Sequence, residues 1–403
     1  MISMKSLRYL YRIGRGPSSS HTIGPSRIAE YLKTKYQNIE SIKVKLYGSL
    51  ALTGKGHLTD VALIDGFSPI PCNVIFDINE PVDFPNTMDV VLTLNNGEII
   101  TKRCMSIGGG AIKIEGEPEE VETDVYPEKN FDEIYKVCKK NGWSLVDYVR
   151  HYEGDEIFEY LKEVNRVMTA AISRGLGTTG VLPGKLKLKR RANEFLISKY
   201  DNESEVGMAY RTVMAYSFAT AEENAAGGVI VTAPTCGSAA TLPAVLKFYE
   251  DQYKKSLKET INALAVAGVI GNVVKQNGSI SGAEAGCQAE IGTACSMAAA
   301  AYAYLKGLST EQIECAAEVA MEHSLGSTCD PVLGYVQIPC IERNVVASNR
   351  AITAVRLAEY ATDTHTVSFD TIVRTMYETG RDMNSKYRET ATGGLAKDYN
   401  IKD

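Results

Sequence analysis

The spacing of apolar positions changes character along the chain, and the changes mark out its architecture. Residues 23–36 place Ile28, Tyr31 and Leu32 at helical intervals, with Pro25 in the first turn and Ser26 as a candidate cap. The period then falls to two. Ile42, Val44 and Leu46 alternate with Lys43 and Lys45, and residues 73–78 form a second short strand. Residues 90–94 and 98–105 face each other across Asn95, Asn96 and Gly97, a hairpin signal. The Glu- and Pro-rich stretch 116–130 reads as a linker. Beyond it the helical period returns, over segments near 131–150, 155–175, 206–226, 238–250, 256–274, 289–307, 310–323, 343–362 and 368–379, with Ser309 and Gln312 in a capping-box pattern. The expected fold is an α+β N-terminal domain, residues 1–126, followed by a large all-α C-terminal domain, residues 127–403. No fixed repeat is evident, which argues against a solenoid.

Composition narrows the function. At 403 residues and 44% hydrophobic, the chain can bury a large core. A net charge of -6 leaves no basic excess to neutralise phosphates, so neither nucleic acid nor an anionic membrane is an expected partner. The one dense basic run, Lys185 to Arg191, alternates with leucines and reads as a solvated edge or a local anion contact. The N-terminus lacks a signal-peptide apolar core. The longest apolar runs, 261–274 and 293–305, look too short to span a bilayer, so a cytoplasmic protein is expected. Nine cysteines, odd in number and without a CxxC pair, are not a disulfide framework.

Several motifs carry chemistry. Gly16 to Arg27 reads GPSSSHTIGPSR, so Ser18, Ser19, Ser20, His21 and Thr22 put five hydrogen-bonding side chains ahead of a helix. Hydroxyls at a positive helix end make a natural seat for a carboxylate, although a capped loop would share the pattern. Gly48 to Asp60 sets Lys55 and His57 among three glycines after a strand, where a histidine could move protons near neutral pH. Ser106 to Gly110, SIGGG, offers backbone N–H groups or simply a turn. Thr232 to Leu246, TAPTCGSAATLPAVL, again runs a loop into a helix, which makes Thr235 and Gly237 substrate-binding candidates. Cys236 there has no neighbouring histidine and reads as a structural thiol.

Cys287, Cys329 and Cys340 each sit in a Gly- or Pro-rich break before a helical stretch, whereas Cys295 and Cys315 lie inside helical patterns. Thiolates are favoured at helix starts, and iron–sulfur clusters bind cysteine as thiolate. Their spacings of 42 and 11 residues match no compact ferredoxin pattern, so spacing alone leaves cluster ligands and structural thiols both open.

Taken together, these motifs resemble the iron–sulfur L-serine dehydratases. The resemblance rests on GPSSSHTIGPSR, GSLALTGKGH, SIGGG, GVLPGKLKLKRRA, TAPTCGSAATLPAVL, GCQAEIG, TCDPV, VQIPCIERN and TGRDMNSKYRETATGGLA, in that order over nearly the whole chain. It implies a 4Fe-4S cluster on Cys287, Cys329 and Cys340 with one open iron, acting as a Lewis acid on the hydroxyl of L-serine, and no pyridoxal phosphate. By the same resemblance the Ser18–Thr22 loop holds the substrate carboxylate, and His21 or His57 is the acid/base, which places the active site between the two domains. His323 reads as a satisfied helix-end residue, and His151 and His365 as surface residues. The chain also departs from the family. Many members carry asparagine where it has Cys236, and it ends KDYNIKD rather than in the cysteine some members fold onto the cluster, so solvent, an anion or a neighbouring chain is expected at the fourth iron. No regulatory domain is expected, and a homo-oligomer, specifically a dimer, is. The competing readings are a related lyase acting on L-cysteine or threonine, a zinc hydrolase using the three cysteines with histidine, and a non-catalytic iron–sulfur sensor.

Overall fold

The computed structural model describes residues 4–118 and 122–400. The chain forms two compact units, Gly14–Val121 and Met1–Ile13 together with Glu122–Asp403. The first is α+β and the second mostly helical. Residues 4–13, expected with the α+β domain, cluster instead with the helical unit.

The α+β unit is built on a five-stranded sheet in the order Cys72–Phe76, Ile39–Leu46, Thr87–Leu94, Ile99–Gly108, Ala111–Ile114. The first two strands are parallel and the other neighbours antiparallel. A parallel pair needs a crossover, here the helices Gly48–Thr53 and Thr59–Phe67, which the sequence pattern did not mark. Alternation sends Ile42, Val44 and Leu46 inward with Met88, Val90 and Leu92, where they meet Ile28 and Leu32 of the helix Gly24–Lys35. The hairpin forms where expected, pairing Thr93 with Ile99 around Gly97 at φ +82°. SIGGG proves to be a strand end and turn. Ser106 packs so closely on Gly24 that a Cβ there would fall 2.1 Å from its hydroxyl.

The helical unit centres on Thr293–Leu305, which is buried on nearly every side by Thr241–Tyr253, Leu257–Asn277, Thr310–Glu322 and Cys340–Ala361. Its alanines let these helices approach closely. The segment expected as one helix over 131–150 is two, Phe131–Asn141 and Leu145–Glu153. Gly142 at φ +67° ends the first, and Ser144 with Asp147 forms a capping box for the second. The capping box at Ser309 and Gln312 is present. The 116–130 linker contains the strand Asp124–Tyr126, paired with Met4–Lys5.

The N-terminal segment is a core element of this unit. Leu7, Leu10 and Tyr11 are buried, and Tyr11 donates to the Leu264 carbonyl at 2.9 Å. Gly268 and Gly271 are required for this docking, because a Cβ on either would come within 2.7 Å of Leu7 or Leu10. They lie on Leu257–Asn277, 21 residues long where the apolar run 261–274 looked too short to span a bilayer. By length and composition this helix could cross a membrane, but 72% of its apolar window is buried inside the protein, as in a core helix. Part of the basic run also faces inward, since Arg190 pairs with the buried Glu223 at 3.1 Å and the Arg191 N–H donates to Glu222.

Candidate functional site

In the α+β unit the hydroxyl-rich motif forms a π-helical turn, Ser19–Ile23, running directly into the helix Gly24–Lys35. Ser18 caps this composite helix by accepting from the His21 N–H, so the capping role expected of Ser26 falls to Ser18. Ser18, Ser19, His21 and Thr22 are buried and Ser20 is partly exposed. The Thr22 hydroxyl is engaged with the carbonyls of Arg15 and Ser18.

The crossover brings His57 against His21, with ring centroids 4.6 Å apart. Hydrogen bonds settle both tautomers. The Thr53 hydroxyl donates to the Ser49 carbonyl at 2.8 Å, so it accepts from His21 Nε2–H at 2.9 Å. His21 Nδ1 therefore carries a lone pair and accepts from the Ser20 hydroxyl at 2.9 Å. His57 Nδ1 lies 3.1 Å from the Thr53 carbonyl, which can only accept, so His57 Nε2 holds the lone pair. Burial, with the nearby charge of His57, pushes the His21 pKa down to about 3, and burial lowers that of His57. Both rings are neutral at neutral pH. Lys55 is exposed and pairs with Asp60.

In the helical unit Cys287 precedes the helical run that begins at Gln288, behind Gly286 at φ +74°. Cys329 is held by backbone: its N–H donates to the Tyr387 carbonyl, and its carbonyl accepts from the Glu389 N–H, both at 2.7 Å. Cys340 opens the helix Cys340–Ala361. None of these cysteines is in a disulfide. The three thiols lie close enough to act on one another. Burial pushes Cys287 up to about 11. It raises Cys340, with Cys287 adding to the shift, and it raises Cys329, with nearby carboxylates and both other thiols adding.

The Thr235 loop packs against this group. Thr235 Oγ1 donates to Glu290 Oε1 at 2.6 Å, and Glu290 Oε2 lies 3.9 Å from Cys329 Sγ. Asn344 Nδ2 donates to the carbonyls of Gly237 (2.7 Å) and Cys340 (2.9 Å), while its Oδ1 accepts from the Ala240 N–H at 3.1 Å. Cys236 and Cys340 line one shallow recess with Gly237 and Asn344. Thr235, Gly237, Cys287, Cys329 and Cys340 thus form a single neighbourhood.

The donor set suits a polynuclear iron–sulfur core. Cys287 raises the Cys340 pKa and both raise that of Cys329, so the three thiols cannot all ionise bare, and a cationic core would remove that penalty. Among the described residues no three His, Cys, Asp or Glu side chains are grouped to hold a single metal ion. Cluster ligands bind different irons and so stand further apart than ligands sharing one.

The serine dehydratase beta chain family model matches residues 6–77, and the serine dehydratase alpha chain model matches residues 82–396. This chain belongs to the serine dehydratase family. Relatives of this serine dehydratase include L-serine dehydratase 1 of Escherichia coli (strain K12), 41% identical with 98% of this chain and 99% of that protein aligned. The L-serine dehydratase of Streptomyces coelicolor is 41% identical, covering 96% and 97%. That of Helicobacter pylori (strain 26695) is 37% identical, covering 97% and 98%. The boundary between the two family models falls inside the five-stranded sheet, between Cys72–Phe76 and Thr87–Leu94.

Sequence reasoning missed Glu290, Arg343 and Asn344 in this serine dehydratase. A signal existed. Glu290 and Arg343 each follow a candidate cysteine by three residues and Asn344 follows one by four, spacings that share a helical face. Of the other histidines, His323 ends its helix with Nδ1 2.9 Å from the Val319 carbonyl, and His151 is exposed beside Trp143. His365 is not simply a surface residue. It is partly buried, with Nε2 3.1 Å from the fully buried Glu318, whose carboxyl burial pushes up to about 7.

Proposed function

We propose that the chain converts L-serine to pyruvate and ammonia with a 4Fe-4S cluster held by Cys287, Cys329 and Cys340 and without pyridoxal phosphate. The observation that carries the reading is the gathering of three disulfide-free thiols, two buried and one half-buried, from separate segments, next to a threonine loop that opens a helix. When bound, such a cluster would supply a Lewis acid that makes the substrate hydroxyl a better leaving group, worth several kcal/mol.

The chain's own residues do the rest. Ser18, Ser19 and Ser20, at the start of a helix, hold the substrate carboxylate, and the Thr235–Gly237 turn contributes a second helix-start contact. His57 takes the α-proton at Nε2, since its Nδ1–H is committed to the Thr53 carbonyl. Proton transfer of this kind contributes about 10²- to 10⁴-fold. His21 holds the crossover through Thr53 and orients Ser20. Loss of the α-proton and the hydroxyl gives aminoacrylate, which tautomerises to an imine and hydrolyses.

The same proposal places the protein in the cytoplasm as a homodimer, and light scattering reads its assembly. The deciding experiment is anaerobic turnover of L-serine, L-threonine and L-cysteine, with iron and acid-labile sulfide counted on the same sample. Pyruvate from L-serine with four irons per chain is expected. Protein that contains zinc and no sulfide, or a filled cluster without turnover, would sink the reading.

A further inference from the structure

The Cys287 and Cys329 segments meet directly, the Gln288 N–H donating to the Ser327 carbonyl, and one side chain links the Cys329 segment to the Cys340 helix. Arg343 lies one helical turn after Cys340 on the same helix. Its guanidinium reaches the segment around Cys329, where Nη1 donates to the Thr328 carbonyl and Nη2 lies 3.0 Å from Asp330 Oδ1. Its charge also acts on Cys287. The anchor is firm, because the Asp330 side chain is only 4% exposed and its other oxygen accepts from the Leu395 N–H at 2.8 Å.

We propose that Arg343 is a positioning residue for the cluster: a fixed positive fork on the Cys340 helix that ties in the Cys329 segment and sets its charge beside the cluster thiolates. This rests on the cluster reading above. Arginine suits the task because its guanidinium is planar, always charged and able to donate in several directions at once, whereas lysine offers a compact point charge. A thiolate-bound cluster carries net negative charge into a buried site that already holds Glu290. A fixed cation there offsets that charge and stabilises the reduced form, which is more negative, over the oxidised one.

The test compares the anaerobically purified protein with R343K and R343Q in three readouts: iron and sulfide per chain, the rate of iron loss to a chelator, and the cluster's reduction potential. Losing a partner of this kind costs about 10- to 100-fold in metal affinity, so iron loss from R343Q should accelerate by a comparable factor and its potential should fall. R343K, which keeps the charge but not the fork, should lie between. If R343Q does not fold, as read by circular dichroism, R343K alone decides. Wild-type rates and potential in the variants overturn the inference while leaving the cluster reading intact. Unmodified protein that contains no sulfide overturns the cluster reading itself.

Discussion

The two groups of candidate residues are assembled in opposite ways. The histidine site of the α+β unit is local: Ser18 to Thr22 and Ser49 to His57 supply it from two short stretches, satisfied by hydrogen bonds among themselves. The cysteine site of the helical unit is convergent. It draws Thr235, Cys287, Cys329 and Cys340 from across a hundred residues and depends on buried side chains such as Asn344 and Glu290 to hold separate segments together. A local site keeps its geometry when its surroundings loosen, whereas a convergent one is only as good as the packing of every contributor.

That contrast can be broken in graded steps. Cys329→Ala should have the largest effect, removing cluster and turnover together, and full activity in this variant would refute the ligand assignment. His57→Asn should lower kcat by about 10²- to 10⁴-fold while iron and sulfide stay at wild-type levels. If iron falls as well, the two sites are not separable as described. Asn344→Ala leaves the Gly237 and Cys340 carbonyls without a buried donor, a cost of about 1–3 kcal/mol. A denaturant melt reads that loss, and iron content should drop with it.

A further effect builds gradually with acid. His21 has a folded pKa of about 3, below its ordinary 6.5, so between these values the unfolded chain binds a proton that the folded one does not. Stability should therefore fall as pH drops below 6.5, by about 1.4 kcal/mol per unit from this residue, and should be insensitive to it above that. A His21→Gln variant with an undiminished slope in pH-dependent melts would contradict the assignment.

What the sequence disclosed follows the same division. The hairpin at Asn95–Gly97, the alternation through Ile42 to Leu46 and the hydroxyl motif were readable because each is encoded by neighbours. The two crossover helices were hidden because glycines interrupt their pattern, although parallel pairing of the flanking strands requires some crossover. The single helix expected over 131–150 ignored the stop at Gly142. The role of residues 4–11 was invisible, since their partners lie some 260 positions away. At the cysteine site the thiols stood out as residue types, whereas Glu290, Arg343 and Asn344 looked like ordinary helix residues until the fold gave them partners.

The seating of Leu7 and Leu10 against Gly268 and Gly271 also bears on biosynthesis. Leu7 and Leu10 must wait for some 260 further residues to be made before their resting place exists, so the helical unit cannot finish folding until that helix is synthesised. For the same reason a fragment starting at Glu122 should expose two bare notches on a core helix, and a peptide spanning the missing leucines, added in trans, should fill them.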